Sequence, residues 1–255
     1  MHRIRLLALD LDGTLLTEDK KIPESTKYYV RKAVDAGICV IFATGRGYPT
    51  AAPYWEALGL TTPMVLANGA DIRTSPDRSW QRHYIPGHEI RKLHALANRY
   101  DAWFWGYNTE SLVNRNGWTE DMFEHDWFKF GIRHDDPGIL KTMWDTIKQW
   151  GTLEVTQSAP VNMEISAKGV SKESGVREIC RLLGIRMEEV AAVGDSRNDI
   201  GLLKAAGLGV AMGNAAEEVK QIADLTTASN EEEGVAKLIQ QLLDGSVGRA
   251  DTKAI

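Results

Sequence analysis

Only two cysteines, Cys39 and Cys180, occur in the 255 residues, and neither has C-x-x-C or zinc spacing. A disulfide framework and a thiolate metal centre are therefore excluded, and Cys39, inside the apolar run Ile38–Phe42, reads as a small buried hydrophobe. No apolar stretch approaches the ~18 residues of a membrane span. The short apolar run near the N-terminus ends in Asp10 and Asp12 instead of a small-residue cleavage site, so the expected location is cytoplasmic. No basic run is present and the net charge is −5, which argues against nucleic acid as the main partner but not against a small anion in a locally positive pocket. A phosphate-cradling G-x-x-x-x-G-K-[ST] loop is missing, and Gly207-Leu208-Gly209 with Gly213 has the wrong spacing for a dinucleotide loop. His88 and His94 are six residues apart, so on a helix they diverge and cannot form a zinc-protease pair.

What is present is a globular composition, 43% apolar and 25% charged, with a recurrent pattern. Short apolar runs end in small or polar residues: Ile4–Leu9 at Asp10, Ile38–Ala43 at Thr44-Gly45-Arg46, Met64–Ala67 at Asn68-Gly69, and Val190–Val193 at Gly194-Asp195. Such runs fit buried strands of a parallel sheet. Helical spacing lies between them, in Val30, Ala33 and Val34 before Gly37, in Val176, Ile179, Cys180 and Leu183 before Gly184, and in Val235, Leu238, Ile239 and Leu242. Alternating strands and helices predict an α/β, Rossmann-like three-layer core, whose ligands bind beyond the carboxyl ends of the strands. Every polar cluster named above falls at such an end.

The middle of the chain differs. Seven of eight tryptophans lie between positions 80 and 150, and five of six histidines between 83 and 134. This shift marks an inserted α+β cap at residues 84–168, leaving 1–83 and 169–255 as the core. Helices are expected over Glu89–Arg99 and from Pro137 toward Trp150, with strands at Ala102–Tyr107, Ser111–Asn114, Leu153–Gln157 and Asn162–Ser166. Trp103, Trp105 and Tyr107 alternate on one strand, and a stripe of this kind belongs more often to a core than to a substrate face. The tail from Gly245 to Ile255 is expected to pack poorly.

Two clusters carry the chemistry. In Asp10-Leu11-Asp12-Gly13-Thr14 the two aspartates are two apart at a strand end and point to one pocket, while Gly13 lets the chain turn sharply. In Gly194-Asp195-Ser196-Arg197-Asn198-Asp199, Ser196 can cap a helix that sets Asp199 near Asp195. If the sheet joins the clusters, four carboxylates share a small volume, each like-charge pair at ~4 Å costing about 4 kcal/mol at an effective dielectric of ~20. Such a site needs a cation or raised pKa values, and an all-oxygen donor set favours Mg²⁺ as the ion. Thr44 at a strand end and Lys172 at a helix start supply donors for an anion, and the combination suits a phosphoryl group attacked by a carboxylate. Taken singly, each aspartate is an ordinary turn or cap residue, Thr44 a cap and Lys172 a surface lysine.

Asp10-Leu11-Asp12-Gly13-Thr14-Leu15, Ala43-Thr44-Gly45-Arg46, Lys172 and Gly194–Asp199 resemble the four ordered motifs of the haloacid dehalogenase superfamily. Asn68-Gly69-Ala70, Gly169-Val170-Ser171-Lys172 and Asn214-Ala215 look like its Cof-type branch, which carries a large α+β cap between the second and third motifs. Glu173 stands where that branch usually has glycine. The resemblance implies a Mg²⁺-dependent phosphatase acting on sugar phosphates or related small phosphorylated metabolites. Asp10 would be nucleophile and metal ligand. Asp12 would be acid then base, binding metal through its carbonyl. Thr44, Gly45, Lys172 and Asn198 would hold the phosphoryl group, with Asn198 reaching phosphate or ordering Lys172. Asp195 would bind Mg²⁺ and Asp199 bind or orient it; Arg46 and Asn68 are possible substrate contacts, and Arg115 a weaker one. A phosphosugar mutase of the same superfamily and a non-catalytic phosphometabolite-binding module remain the alternatives, in a monomer or homodimer.

Overall fold

The computed structural model describes residues 3–109 and 111–247. The tail anticipated from Gly245 onward lies largely outside these residues. The chain opens with strand β1 (Leu6–Leu9), whose four side chains are fully buried, so both faces of the sheet are covered at this point. Helix α1 (Glu24–Asp35) buries Thr26, Val30 and Ala33, and the chain turns at Gly37 with φ of 82°. Strand β2 (Cys39–Ala43), helix α2 (Tyr48–Ala57) and strand β3 (Met64–Leu66) follow. Next comes a hairpin of β4 (Asp71–Ser75) and β5 (Arg78–Arg82).

The inserted unit begins with α3 (Gly87–Arg99) and continues through β6 (Trp103–Asn108), β7 (Leu112–Asn114), β8 (Trp127–Arg133), α4 (Pro137–Trp150), β9 (Leu153–Thr156) and β10 (Asn162–Ala167). Asp136 accepts hydrogen bonds from the backbone N–H groups of Gly138 and Ile139, capping α4, with Pro137 at the first helical position. The chain then returns to the first sheet with α5 (Lys172–Leu183), β11 (Val190–Gly194), α6 (Ile200–Ala205), β12 (Leu208–Ala211), α7 (Glu217–Ile222), β13 (Leu225–Thr226) and α8 (Gly234–Asp244).

Among the described residues the strands form two sheets, ordered β13-β12-β11-β1-β2-β3-β4-β5 and β7-β6-β8-β10-β9. The first is parallel from β13 to β3 and antiparallel over β4 and β5, so the expected parallel sheet carries an antiparallel edge. The short loop at Pro76 and Asp77 permits only an antiparallel return there. Helix α1 packs with α8, and α5 with α6, completing the α/β core. The second sheet is antiparallel, with α3 and α4 against one face. Its central strand β8 was not anticipated from the sequence. Phe104, Phe130, Ile132, Met163 and Ile165 point to the helices and form the cap core. The opposite face carries Trp105, Tyr107, Lys129, Gly131 and Glu164, by the register Trp105↔Gly131, Tyr107↔Lys129 and Gly131↔Glu164. The expectation that the Trp103, Trp105 and Tyr107 stripe fills the cap core is therefore reversed: the helices cover the other side, and Phe104 takes that place.

Candidate active site

The carboxyl ends of β1 and β11 lie side by side in register, Leu9 opposite Val193, so the residues that follow them meet. Gly13 turns the chain with φ of 76°, and a Cβ there would fall against the carboxylate of Asp195; only glycine lets the two loops approach this closely. One oxygen each from Asp10, Asp195 and Asp199 lies within 4.8 Å of the others. Lys172 enters from the first turn of α5, fixed by a capping box in which Ser171 and Ser174 bond each other's backbone N–H. Its Nζ lies 2.7 Å from Asp10 Oδ1 and 2.7 Å from Asp199 Oδ1, with the lysine 1% exposed.

The electrostatics follow from this geometry. Burial opposes the charge of Lys172, but Asp10 and Asp199 outweigh it and hold the ammonium protonated well above the ordinary range. Three carboxylates against one ammonium leave a formal charge of −2 in a buried site. Burial, with repulsion from Asp199 and Asp195, accordingly pushes Asp10 well above its usual value despite Lys172. Burial and Asp199 push Asp195 up to about 6. A divalent cation of oxygen-ligand preference fits both the charge and the donor set. Asp199 is the least available ligand. Its Oδ1 accepts from Lys172 and its Oδ2 from the backbone N–H of Asp195 and Ser196, at 3.2 and 3.1 Å.

The expected gathering of four carboxylates is reduced to three. Asp12 lines the same pocket, but its carboxylate turns away and is half-exposed. Arg46 binds it with Nε to Oδ2 at 2.6 Å and Nη2 to Oδ1 at 2.7 Å, and Lys20 Nζ lies 2.8 Å from Oδ1. Burial pushes the Asp12 carboxyl up, yet these hydrogen bonds and charges win and set it at about 2. Arg46, expected as a possible substrate contact, is here the partner of the Asp12 carboxylate.

Thr44, 1% exposed, lines the pocket and accepts the backbone N–H of Arg46; it does not cap α2, whose N-cap is Gly47. Asn198 does not reach Lys172: it accepts from Ser196 Oγ at 2.7 Å and donates to Asn68 Oδ1 at 3.3 Å. Asn68, at φ 58°, donates in turn to Glu164 Oε2 at 2.7 Å, so it links core to cap. Gly45 accepts from Lys129 Nζ at 2.8 Å through its carbonyl. Arg115 pairs with Asp101 on the surface and does not line the pocket that holds Asp10.

Three residues here were assigned no role from the sequence. Thr14 donates to Asp195 Oδ1 at 3.0 Å. Lys129 and Glu164 form a nearly buried ion pair at 3.1 Å on the cap face over the core loops. Burial pushes Glu164 up, but Lys129 and the Asn68 hydrogen bond outweigh it, and the carboxylate stays ionised below its ordinary range. A lysine in the middle of the run Trp127-Phe128-Lys129-Phe130 was the available hint.

Core and cap enclose a cavity of about 420 Å³ with Asp10, Asp12, Thr44, Arg46 and Asn198 on the core side and Trp105, Tyr107, Lys129 and Glu164 on the cap side. A larger cleft of about 700 Å³, between α4 and the loop after β11, reaches Asp195 and Ser196 but not Asp10 or Thr44. The nucleophile candidate therefore faces the smaller cavity. No helix among the described residues is long and apolar enough to cross a membrane.

Comparison with known proteins agrees with this picture. The haloacid dehalogenase-like hydrolase family matches residues 7–130 and 113–239. The chain is 38% identical over 237 residues to 5-amino-6-(5-phospho-D-ribitylamino)uracil phosphatase YcsE of Bacillus subtilis, covering 93% of this chain and 95% of that protein. It is 33% identical over 263 residues to a phosphatase of the same description, YitU, from the same organism, covering 92% and 96%. Among solved structures, a haloacid dehalogenase-like hydrolase from B. subtilis superposes with a TM-score of 0.87 at 27% identity, covering 94% of this chain and all of the other.

Proposed function

Because the chain belongs to the haloacid dehalogenase-like hydrolase family, we propose that it hydrolyses small phosphate monoesters through an aspartyl-phosphate on Asp10, with Mg²⁺ as cofactor. The observation that carries the reading is the buried cluster of Asp10, Asp195 and Asp199 against Lys172, with its uncompensated negative charge. A Mg²⁺ ion held by Asp10, Asp195 and the Asp12 carbonyl, with Asp199 behind, would neutralise the dianionic ester and the charge that develops on it.

Lys172 aims Asp10 and binds a phosphoryl oxygen, and Thr44 donates to another. The Asp10 carboxylate attacks phosphorus in line and the ester oxygen departs with a proton from Asp12. Asp12 then takes a proton from water, which attacks the phosphoenzyme and frees phosphate and Asp10. Arg46 and Lys20 hold Asp12 ionised at the pocket mouth, the form needed for the second step; the first step requires that pairing to loosen as phosphate enters. Asp199 acts by holding Lys172 and the loop at Asp195, and the cap keeps bulk water from the phosphoenzyme.

The substrate class is a phosphorylated metabolite of the sugar-phosphate kind, and the phosphoribitylaminouracil named for YcsE and YitU is the first ester to try. Phosphate release from a panel of such esters, with and without a chelator, tests the proposal. Wild-type protein should turn over at least one ester only with Mg²⁺, and Asp10→Asn should be inactive while unfolding at a normal temperature. Full activity in Asp10→Asn or after exhaustive chelation contradicts it.

A further inference from the structure

Trp105 differs from the other tryptophans of the cap. Trp118 and Trp127 stack on each other with ring centroids 4.8 Å apart, and Trp118 also meets His94, Phe104, Phe123 and Phe130. Trp144 and Trp150 pack against the cap core, and Trp103, on the same strand, is 40% exposed. Trp105 is half-buried and lines the cavity that holds Asp10, yet among the described residues its indole has no ring partner and no hydrogen bond.

Its orientation is fixed by the strand beside it. Trp105 pairs with Gly131, and a Cβ on Gly131 would fall inside the indole, so the ring lies flat against the sheet over the glycine. Across the next strand the same row carries Glu164, ionised and held by Lys129 and Asn68. The roof of the cavity is thus a flat indole ending in a fixed charge pair, above a floor made of the phosphoryl-binding residues. A flat, unpartnered aromatic face in a half-enclosed cavity suits a planar ring, and the charge pair suits polar groups on that ring's edge.

We infer that Trp105, lying on Gly131, is a stacking platform that selects phosphate esters whose leaving group carries a planar heterocycle. The inference rests on the hydrolase reading for the placement of the phosphate and goes beyond it in naming the ring and the residue that holds it. Trp105 touches the leaving group and not the reacting phosphorus, so it acts on discrimination.

The test compares riboflavin 5′-phosphate and pyridoxal 5′-phosphate with ribose 5-phosphate, in wild type, Trp105→Ala, Trp105→Phe, Gly131→Ala and Trp144→Ala, each checked for an intact thermal transition. The ratio of kcat/KM for ring-bearing over ring-free ester should fall about ten- to hundredfold in Trp105→Ala, mainly through KM, and return substantially in Trp105→Phe. Gly131→Ala, which tilts the indole off the sheet, should lower the same ratio. A ratio unchanged in Trp105→Ala, or one that falls in Trp144→Ala instead, overturns the inference. Binding of the same esters to the Asp10→Asn protein gives a readout that needs no turnover: ring-bearing esters should bind more tightly, and adding Trp105→Ala should remove the difference. If wild type releases phosphate from none of the esters, the hydrolase reading fails while binding still decides the platform; equal binding of both classes overturns the platform while leaving hydrolysis standing.

Discussion

Replacing Asp195 with asparagine should make the metal-free protein more stable, although Asp195 sits in the site. Lys172 bonds Asp10 and Asp199 but not Asp195, whose one side-chain donor is the Thr14 hydroxyl. Two carboxylates at the 4.8 Å limit of the cluster repel by about 3.5 kcal/mol at an effective dielectric of ~20. Asparagine keeps the shape and the acceptor for Thr14 and removes repulsion from both neighbours, at the loss of some attraction to Lys172, leaving a net gain on the order of one pair. Burial first, and then Asp199, raise the carboxyl from 3.8 to about 6, and asparagine escapes both; that rise is roughly 2 units, or about 3 kcal/mol. Because the folded-state value is raised, the charged form costs nothing below the unfolded value near 4 and its full penalty above 6. The advantage of Asp195→Asn is therefore complete at pH 8 and vanishes toward pH 4. For a chain of this length it amounts to about 6–12 °C in Tm. Thermal unfolding in chelator at pH 8 and pH 4.5 measures it, and Mg²⁺ added at pH 8 should raise wild type far more than the variant. Lys172→Met should move the other way, losing about 3–5 kcal/mol because it strands buried carboxylates. Asp195→Asn at or below wild-type stability in chelator at pH 8 would refute the reasoning.

Glu164→Gln should cost about 3–5 kcal/mol at neutral pH by leaving Lys129 without its charge partner. Glu164 is held below its ordinary value, so the pair's contribution is fully present above the unfolded carboxyl value and is lost as pH falls from there through the lower folded-state value; denaturant titrations of wild type and variant should converge in acid. Gly13→Ala places a methyl against Asp195 at a positive φ, costing about 1–2 kcal/mol of backbone strain; it should also raise the Mg²⁺ concentration for half-maximal phosphate release. A Mg²⁺ titration identical to wild type would contradict that contact.

Strand ends were the legible part of this sequence. Asp10, Thr44, Asn68 and Asp195 each follow an apolar run, and a parallel sheet must bring such ends to one edge, so their convergence is readable from the chain. Lys172 was legible as the first residue after a serine cap. The cap was legible in outline, from its aromatic composition and its helices, but not in its central strand. In β8 the alternation is obscured, since Lys129 lies on the core-facing side among aromatics and a register shift after Tyr107 sends Trp127 to the helix side. Lys129 and Glu164 are ordinary surface residue types, and only pairing across strands makes them a buried pair. The orientation of Asp12 was hidden for a similar reason: its partners Arg46 and Lys20 come from different loops, and local spacing alone put the carboxylate beside Asp10.

The most direct measurement is an acid quench of a single turnover with a hydrolysed ester and Mg²⁺, followed by mass spectrometry of the peptides. A phosphoryl group should be found on the Asp10 carboxylate in wild type, transiently and before free phosphate reaches its full amount, and should be absent in Asp10→Asn. Phosphate released at full rate with no phosphorylated peptide at any time, or with the group on another residue, would contradict the account.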